Sequence, residues 1–270
     1  MSHLLPITHL NNDKFQARIL RQGAQLLSFV PNGQKDWLFD NPNTPFEPGK
    51  EVYGGVPIVF PWFSLLKGHE DDAPNHGFAR QANWTTETQS DELVSLSLSS
   101  ANIQDQGLQS PFWAGDFFVR MVFSFGEGLG MRFEVQNRGD EAFAFECALH
   151  TYFAVSDVRR TTVEGAENGI WLNSGAPTLT RDTAFPPFGA RLFEHSQGPI
   201  LIREPERTFR ISNNEGWRSS VVWNPGEAME DLNDSNWPHF VCVEAGALRS
   251  NAVSLESGES YALDLSIELN

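Results

Sequence analysis

Two segments carry residues whose types suit proton transfer. In FAFECALHTYF, residues 143–153, strand alternation puts Ala144, Glu146, Ala148 and His150 on one face and Phe143, Phe145, Cys147 and Leu149 on the other. Small residues beside a histidine leave room for a ligand, while the opposite face reads as packed core. In HFVCVEAGAL, residues 239–248, one carboxylate interrupts an apolar strand, with Val241 and Val243 on one face and Cys242 and Glu244 on the other. An ionised glutamate is costly to bury unless it is paired, hydrogen-bonded or functional. A histidine and a carboxylate brought to opposite sides of one hollow would form an acid and base pair. The competing readings are a core histidine bonded to a backbone carbonyl and a glutamate paired with an arginine such as Arg80.

Two further segments suit the walls of such a hollow. NHGFAR, residues 75–80, offers Asn75, His76 and Arg80 to hydroxyl groups and Phe78 to the face of a sugar, although an ordinary polar loop has the same composition. GGVPIVFPWF, residues 54–63, is a Gly-Gly turn entering an apolar strand with two prolines, the pattern of a bulged edge strand. Trp62 and Phe63 are candidate cavity walls. No P-loop, dinucleotide-binding glycine pattern, Cys-x-x-Cys or nucleophile elbow is present. His69, Glu70, Asp71 and His76 lack an ordered metal-ligand spacing and read as a solvated loop, so no metal is expected.

The elements that must position these residues are strands. Tyr261, Leu263, Leu265, Ile267 and Leu269 alternate with polar or small residues, as do Phe15, Ala17 and Ile19, then Val94, Leu96 and Leu98, then Met131, Phe133 and Val135. Turn chemistry in PNGQ, GEGLG and NRGD separates such runs. Helical periodicity is confined to a short turn at 227–232. With 22 Gly and 16 Pro, the pattern predicts an all-β fold, a large antiparallel sandwich spanning 1–270 as one domain.

Composition narrows the partners. Hydrophobic residues at 40% and charged residues at 20% allow a sizeable core. A net charge of -16 with only 19 Lys and Arg disfavours nucleic acid and anionic membranes, so an anionic substrate would need a local basic pocket. The N-terminal segment lacks a secretory pattern and no apolar run is long enough to span a membrane, which predicts a cytoplasmic protein. Cys147 and Cys242 are expected as buried thiols.

The order GGVPIVFPWF, NHGFAR followed by Trp84, LHTYFAVSDV, VVWNPG and FVCVEAG resembles the hexose-6-phosphate mutarotase branch of the aldose 1-epimerase family. The resemblance implies a β-supersandwich, His150 as general acid, Glu244 as general base, and Asn75 and Arg80 at the substrate, with His76 between them. Asp182, in TRDTAF, falls at the aspartate of the family's Thr-Asp-Arg-x-Tyr pattern, with Arg181, Thr183 and Phe185 replacing its other residues. Phosphate-specific members usually carry Arg before the Gly-Gly, where this chain has Tyr53. Arg80, Lys50 and Lys67 are then the cations left for a phosphate.

The expected reaction is anomer interchange of a hexose, preferentially a 6-phosphate. His150, kept protonated by a nearby carboxylate, would protonate the ring oxygen while Glu244 takes the C1 hydroxyl proton. Ring opening and closure involve no redox or covalent step, so no cofactor is expected, and the chain is expected to act as a monomer. A glycoside hydrolase, which needs two carboxylates flanking one bond, and a non-catalytic carbohydrate-binding protein are the alternatives.

Overall fold

The computed structural model describes the chain except residues 1–4, 45, 109, 167–169, 173–183, 186–187, 197, 230–231 and 234. Each alternating run is a strand: Phe15–Leu20, Leu93–Ser99, Leu129–Asn137 and Ser260–Leu269. In Leu129–Asn137 every second residue is buried, from Leu129 to Asn137, as a half-buried pleated surface requires.

The strands form two large antiparallel sheets. One has nine strands, in the order Ala184–Phe185, Thr162–Glu164, Ile200–Arg203, Thr208–Glu215, Ser260–Leu269, Leu129–Asn137, Phe117–Phe125, Leu93–Ser99 and Thr85–Gln89. The other has six, in the order Ile170–Trp171, Gly189–Phe193, Ser219–Asn224, Phe240–Ala247, Cys147–Ala154 and Ile58–Val59. A three-stranded sheet of Ile7–Asn11, Phe15–Leu20 and Gln25–Pro31 and a two-stranded pair complete the set. The architecture is the expected all-β sandwich.

The core explains why the six-stranded sheet can host a site. Its Leu149, Phe153, Val222, Val241 and Val243 share one apolar cluster with Phe133, Val135, Leu263 and Leu265 of the nine-stranded sheet. At about 25 cal/mol per Å² of apolar area, this is the contact that holds the two layers together. The opposite face of the six-stranded sheet carries two small clusters, one around Ala148, Leu192 and Val221 and one around Tyr152, Phe240 and Cys242. That face is free to carry polar groups.

Two local expectations are revised. The 227–232 segment is no helical turn where it is described: Met229 and Leu232 exchange backbone N–H···O bonds of 2.9 and 3.0 Å. A helix not expected from the sequence, Ser100–Asp105, is nucleated by a capping box between Ser99 and Asn102. Its six residues are too few for a legible period. Among the described residues, no helix is long and apolar enough to cross a membrane.

Two loops are zipped together beside the six-stranded sheet. His76 N–H donates to Ser64 O at 2.9 Å, Phe60 N–H to His76 O at 3.3 Å, and Ala79 N–H to Phe60 O at 3.2 Å. The turn between them needs left-handed backbone at His76 (φ 61°) and Gly77 (φ 77°). A Cβ on Gly77 would lie 2.0 Å from Phe60 O, backbone that cannot swing away. Gly77→Ala is therefore expected to lower the unfolding free energy by roughly 2–4 kcal/mol in urea titration. A loss below about 0.5 kcal/mol, the scatter of neutral substitutions, would show that the two loops separate freely.

Candidate active site

Antiparallel register brings the acid and base candidates face to face. His150 in Cys147–Ala154 pairs with Glu244 in Phe240–Ala247, and Glu244 pairs in turn with Val221. Two residues along, Tyr152 pairs with Cys242, and Cys242 with Trp223. His150 N–H donates away from this partner, to Pro57 O at 2.9 Å. The His150–Glu244 position is thus the non-hydrogen-bonded kind, in which opposed side chains stand closest. The imidazole Nε2 lies 3.2 Å from Glu244 Oε1, with the two side chains only 9% and 2% exposed.

This excludes the arrangement expected from the sequence, with the pair on opposite sides of a hollow. The two groups sit side by side on one floor. Prolines at the sheet edge fit the same scheme, since 55–61 mainly accepts: Glu146, His150 and Tyr152 N–H groups donate to Pro61, Pro57 and Gly55 carbonyls.

Above the floor is a cavity of about 300 Å³, lined by Tyr53, Asn75, His76, Arg80, Trp223 and Arg249 as well as the pair. Arg80 is buried; one terminal nitrogen bonds Glu51, and also donates to Asn75 O at 2.7 Å. The reading of Glu244 as an ion-pair partner of Arg80 therefore does not hold, because Arg80 pairs with Glu51 and Glu244 with His150. His76 Nδ1 accepts from Ser64 N–H at 3.0 Å, which leaves Nε2 as the protonated nitrogen of a neutral ring. Glu244 Oε2, His150 Nδ1, Asn75 Oδ1 and Arg80 Nε are buried with no protein partner. Hydrogen bonds to such groups are strong, because the alternative is an unsatisfied polar atom.

Burial sets the protonation of the floor. It pushes the Glu244 carboxyl well above the usual carboxylate range, against the pull of Arg80. It pushes the His150 imidazole down to about 3, and Arg80 adds to the effect. His76 is likewise well below its ordinary value, through burial first and then the charges of Arg80, His150 and Arg249. The expectation that a neighbouring carboxylate keeps His150 charged fails for this reason: desolvation penalises charge on both partners. Both groups are pushed toward their neutral forms, with the proton on Glu244.

Residues 6–268 match the Aldose 1-epimerase family. The chain belongs to the aldose 1-epimerase family. It is 30% identical over 249 residues to a protein of Escherichia coli K12 named "Putative glucose-6-phosphate 1-epimerase", covering 89% of this chain and 82% of that one. A protein of Cenchrus ciliaris with the same name is 29% identical, over 91% of this chain and 78% of its own. The crystal structure of a Salmonella typhimurium protein described as a "putative mutarotase (YeaD)" superposes with a TM-score of 0.86 at 27% identity, covering 98% and 90% of the two chains. Membership in the aldose 1-epimerase family makes this chain an isomerase of the mutarotase type, acting on a sugar.

Of the residues predicted to serve this aldose 1-epimerase, Asn75, His76, Arg80, His150 and Glu244 meet at the cavity. Phe78 does not. The left-handed turn at His76 and Gly77 sends it into the core, where it packs edge-on against Phe60 and Trp62 at 6.2 and 5.8 Å. Trp62 goes with it, whereas Phe63 does line the cavity. Asp182 lies outside the described residues. Lys50 pairs with Glu47 at 2.7 Å, and neither it nor Lys67 is among the lining residues.

Sequence reasoning missed Tyr152, Trp223 and Arg249. Tyr152 follows His150 by two and had to share its face, so alternation contained that signal. Arg249 follows the end of the Glu244 strand, in a turn whose direction no pattern reports. Glu146, assigned to the His150 face, falls in a break between strands and does not line the cavity. Its carboxylate instead accepts from Phe63 N–H at 2.9 Å and Arg249 N–H at 2.6 Å, tying two wall segments together.

The proton count at Glu244, His150 and His76 predicts a pH dependence of stability. Between the ordinary values of 4.5 and 6.5, the unfolded chain holds two protons on the histidines and the folded chain one, so stability rises with pH. Above 6.5 the unfolded chain holds none and the folded pair keeps one, so stability falls until the raised Glu244 ionises. The contribution peaks near 6.5, with slopes of up to about 1.4 kcal/mol per pH unit on either side. Glu244→Gln should remove the alkaline fall in urea unfolding measured upward from about pH 6.5. An unaltered slope in that variant would show that the folded pair holds no proton.

Proposed function

We propose that His150 and Glu244 open and reclose the ring of a hexose 6-phosphate, interconverting its two anomers in the cytoplasm. The observation that carries this reading is the buried His150–Glu244 pair, 3.2 Å apart on the floor of a cavity of about 300 Å³. Sugar entry brings hydroxyls that, with Arg80, favour the ionised form of Glu244; the proton needs one hop to reach His150. His150 then gives that proton to the ring oxygen as the bond from C1 to the ring oxygen breaks. Glu244 takes the proton of the C1 hydroxyl, and an aldehyde results. Rotation about C1–C2 and the reverse transfers close the other anomer.

The pair carries one proton before and after each half-reaction, which is why a buried site tolerates the chemistry: no net charge is created in the low-dielectric floor. Asn75, His76 and Arg80 are the hydroxyl-binding residues in this reading, with His76 a neutral donor through Nε2. Asp182 is proposed as a further substrate contact on the family pattern alone. A glycoside hydrolase would need a second carboxylate across the scissile bond. Among the described lining residues Glu244 is the one carboxylate.

The phosphate preference is supported by local charge. In a chain of net charge -16, two arginines are among the described residues that line the cavity. Arg80 is already neutralised by Glu51. Arg249 is 42% exposed, reaches Glu146 only at 3.5 Å, and lies 5.3 Å from the Phe63 ring, so its guanidinium can turn to an anionic substituent. Tyr53 occupies the wall position where phosphate-specific relatives usually have Arg, which makes Arg249 the cation to test.

Glu244→Gln and His150→Gln are each expected to slow anomer exchange by roughly a hundred-fold or more in two-dimensional exchange NMR. Wild-type exchange in either would remove that residue from the mechanism. Arg249→Gln is expected to lower kcat/KM for glucose 6-phosphate by about ten-fold or more, with free glucose changed less than about three-fold, as loss of a charge-assisted hydrogen bond requires. Equal losses on both sugars would assign Arg249 to the wall alone.

A further inference from the structure

His150 lacks the usual means of orienting an acid–base histidine. Such a ring is ordinarily held by a hydrogen bond at the nitrogen that does not react, which sets both its tilt and its tautomer. Here Nδ1 is buried with no partner, and Nε2 faces Glu244. A contact at Nε2 alone leaves the imidazole free to tilt about it.

Rings take the place of the missing bond. Tyr152 lies parallel to the imidazole, with centroids 4.9 Å apart and planes 17° from parallel. His76 and Trp223 present edges to it at 5.6 and 6.0 Å, inclined by 87° and 77°. The parallel contact follows from the strand, because residues i and i+2 share a face about 7 Å apart and flat side chains can lean together. Tyr152 is itself immobilised: it is 3% exposed and packs on Phe240 at 5.1 Å and Trp223 at 6.1 Å. Phe240 in turn packs on Phe39 at 5.1 Å. A rigid apolar cluster thus ends in a flat ring laid against the imidazole.

We infer that Tyr152 is the positioning residue for His150, fixing the imidazole plane by ring stacking where no hydrogen bond at Nδ1 does so. The inference rests on the proposed role of His150 in ring opening. It assigns the flat ring of Tyr152, not its hydroxyl, as the acting part. Proton transfer falls steeply with misorientation, so loss of the ring should appear in the chemical step and leave substrate affinity almost untouched.

The test compares Tyr152→Leu, Tyr152→Met and Tyr152→Phe with His150→Gln on glucose 6-phosphate and free glucose. Leu and Met remove the flat ring, and Met keeps nearly the volume in case Leu does not fold; near-ultraviolet circular dichroism establishes folding. Tyr152→Leu or Tyr152→Met is expected to lower kcat at least ten-fold with KM within about three-fold of wild type. Tyr152→Phe should recover kcat to within about three-fold. The carbon-bound proton signals of His150, shifted upfield by the stacked ring, should move toward their unstacked positions in the Leu and Met variants and stay in place in the Phe variant.

A Leu or Met variant that folds and keeps wild-type kcat overturns the inference. So does a Phe variant as impaired as Leu, which would transfer the role to the hydroxyl. An impaired His150→Gln beside a fully active Tyr152→Leu removes the positioning role alone. Full activity in His150→Gln removes the catalytic reading beneath it.

Discussion

The constraint on which the rest depends is the burial of two opposed titratable side chains at one place. Neither His150 nor Glu244 is tolerable in this floor as an isolated charge, since desolvation moves each toward its neutral form. Together they need only one proton, and His150 Nε2 and Glu244 Oε1 lie 3.2 Å apart. Much else about the floor follows. The pairing register must hold, because a slip of one residue would send His150 into the inter-sheet core and Glu244 out of reach. The position must be non-hydrogen-bonded, where side chains stand closest, and the His150 N–H must therefore find its acceptor at the edge, in Pro57.

The layered fold meets that constraint by dividing labour between the faces of one sheet. The inner face of the six-stranded sheet joins the core with the nine-stranded one, so stability does not depend on what the outer face carries. On that outer face two small apolar clusters flank the polar floor. Loops supply the walls, and their anchors are side chains the cavity does not display. Glu146 ties Phe63 to Arg249, and Glu51 holds Arg80. Among the described lining residues of this acidic chain, cations outnumber carboxylates, which suits an anionic sugar.

Reading the strands from the sequence succeeded wherever a side chain's direction depends only on parity. His150 with Ala148, and Glu244 with Cys242, lie on the outer face as alternation requires, with Leu149 and Val243 in the core. Parity failed at Glu146, where the strand breaks; Phe78, read as a loop residue facing a sugar, follows the left-handed turn at His76 and Gly77 and packs in the core with Trp62. The Gly in NHGFAR marked a turn, but its hand and the wall it faces come from Phe60 O across the gap.

The sequence alone determined the strand-rich class, the two residues proposed to carry the proton, the face each occupies and the kinship visible in the ordered segments. Those properties are local or are carried by residue identity, so they survive without knowledge of neighbours. Only the tertiary structure decided that His150 and Glu244 are adjacent on one floor instead of facing across a hollow, that Arg80 answers to Glu51, and that Tyr152 and Arg249 join the site. Register between strands nearly a hundred residues apart, and the depth at which a group is buried, are set by the packing of the whole chain. It is that depth which decides whether a histidine beside a carboxylate is charged or neutral.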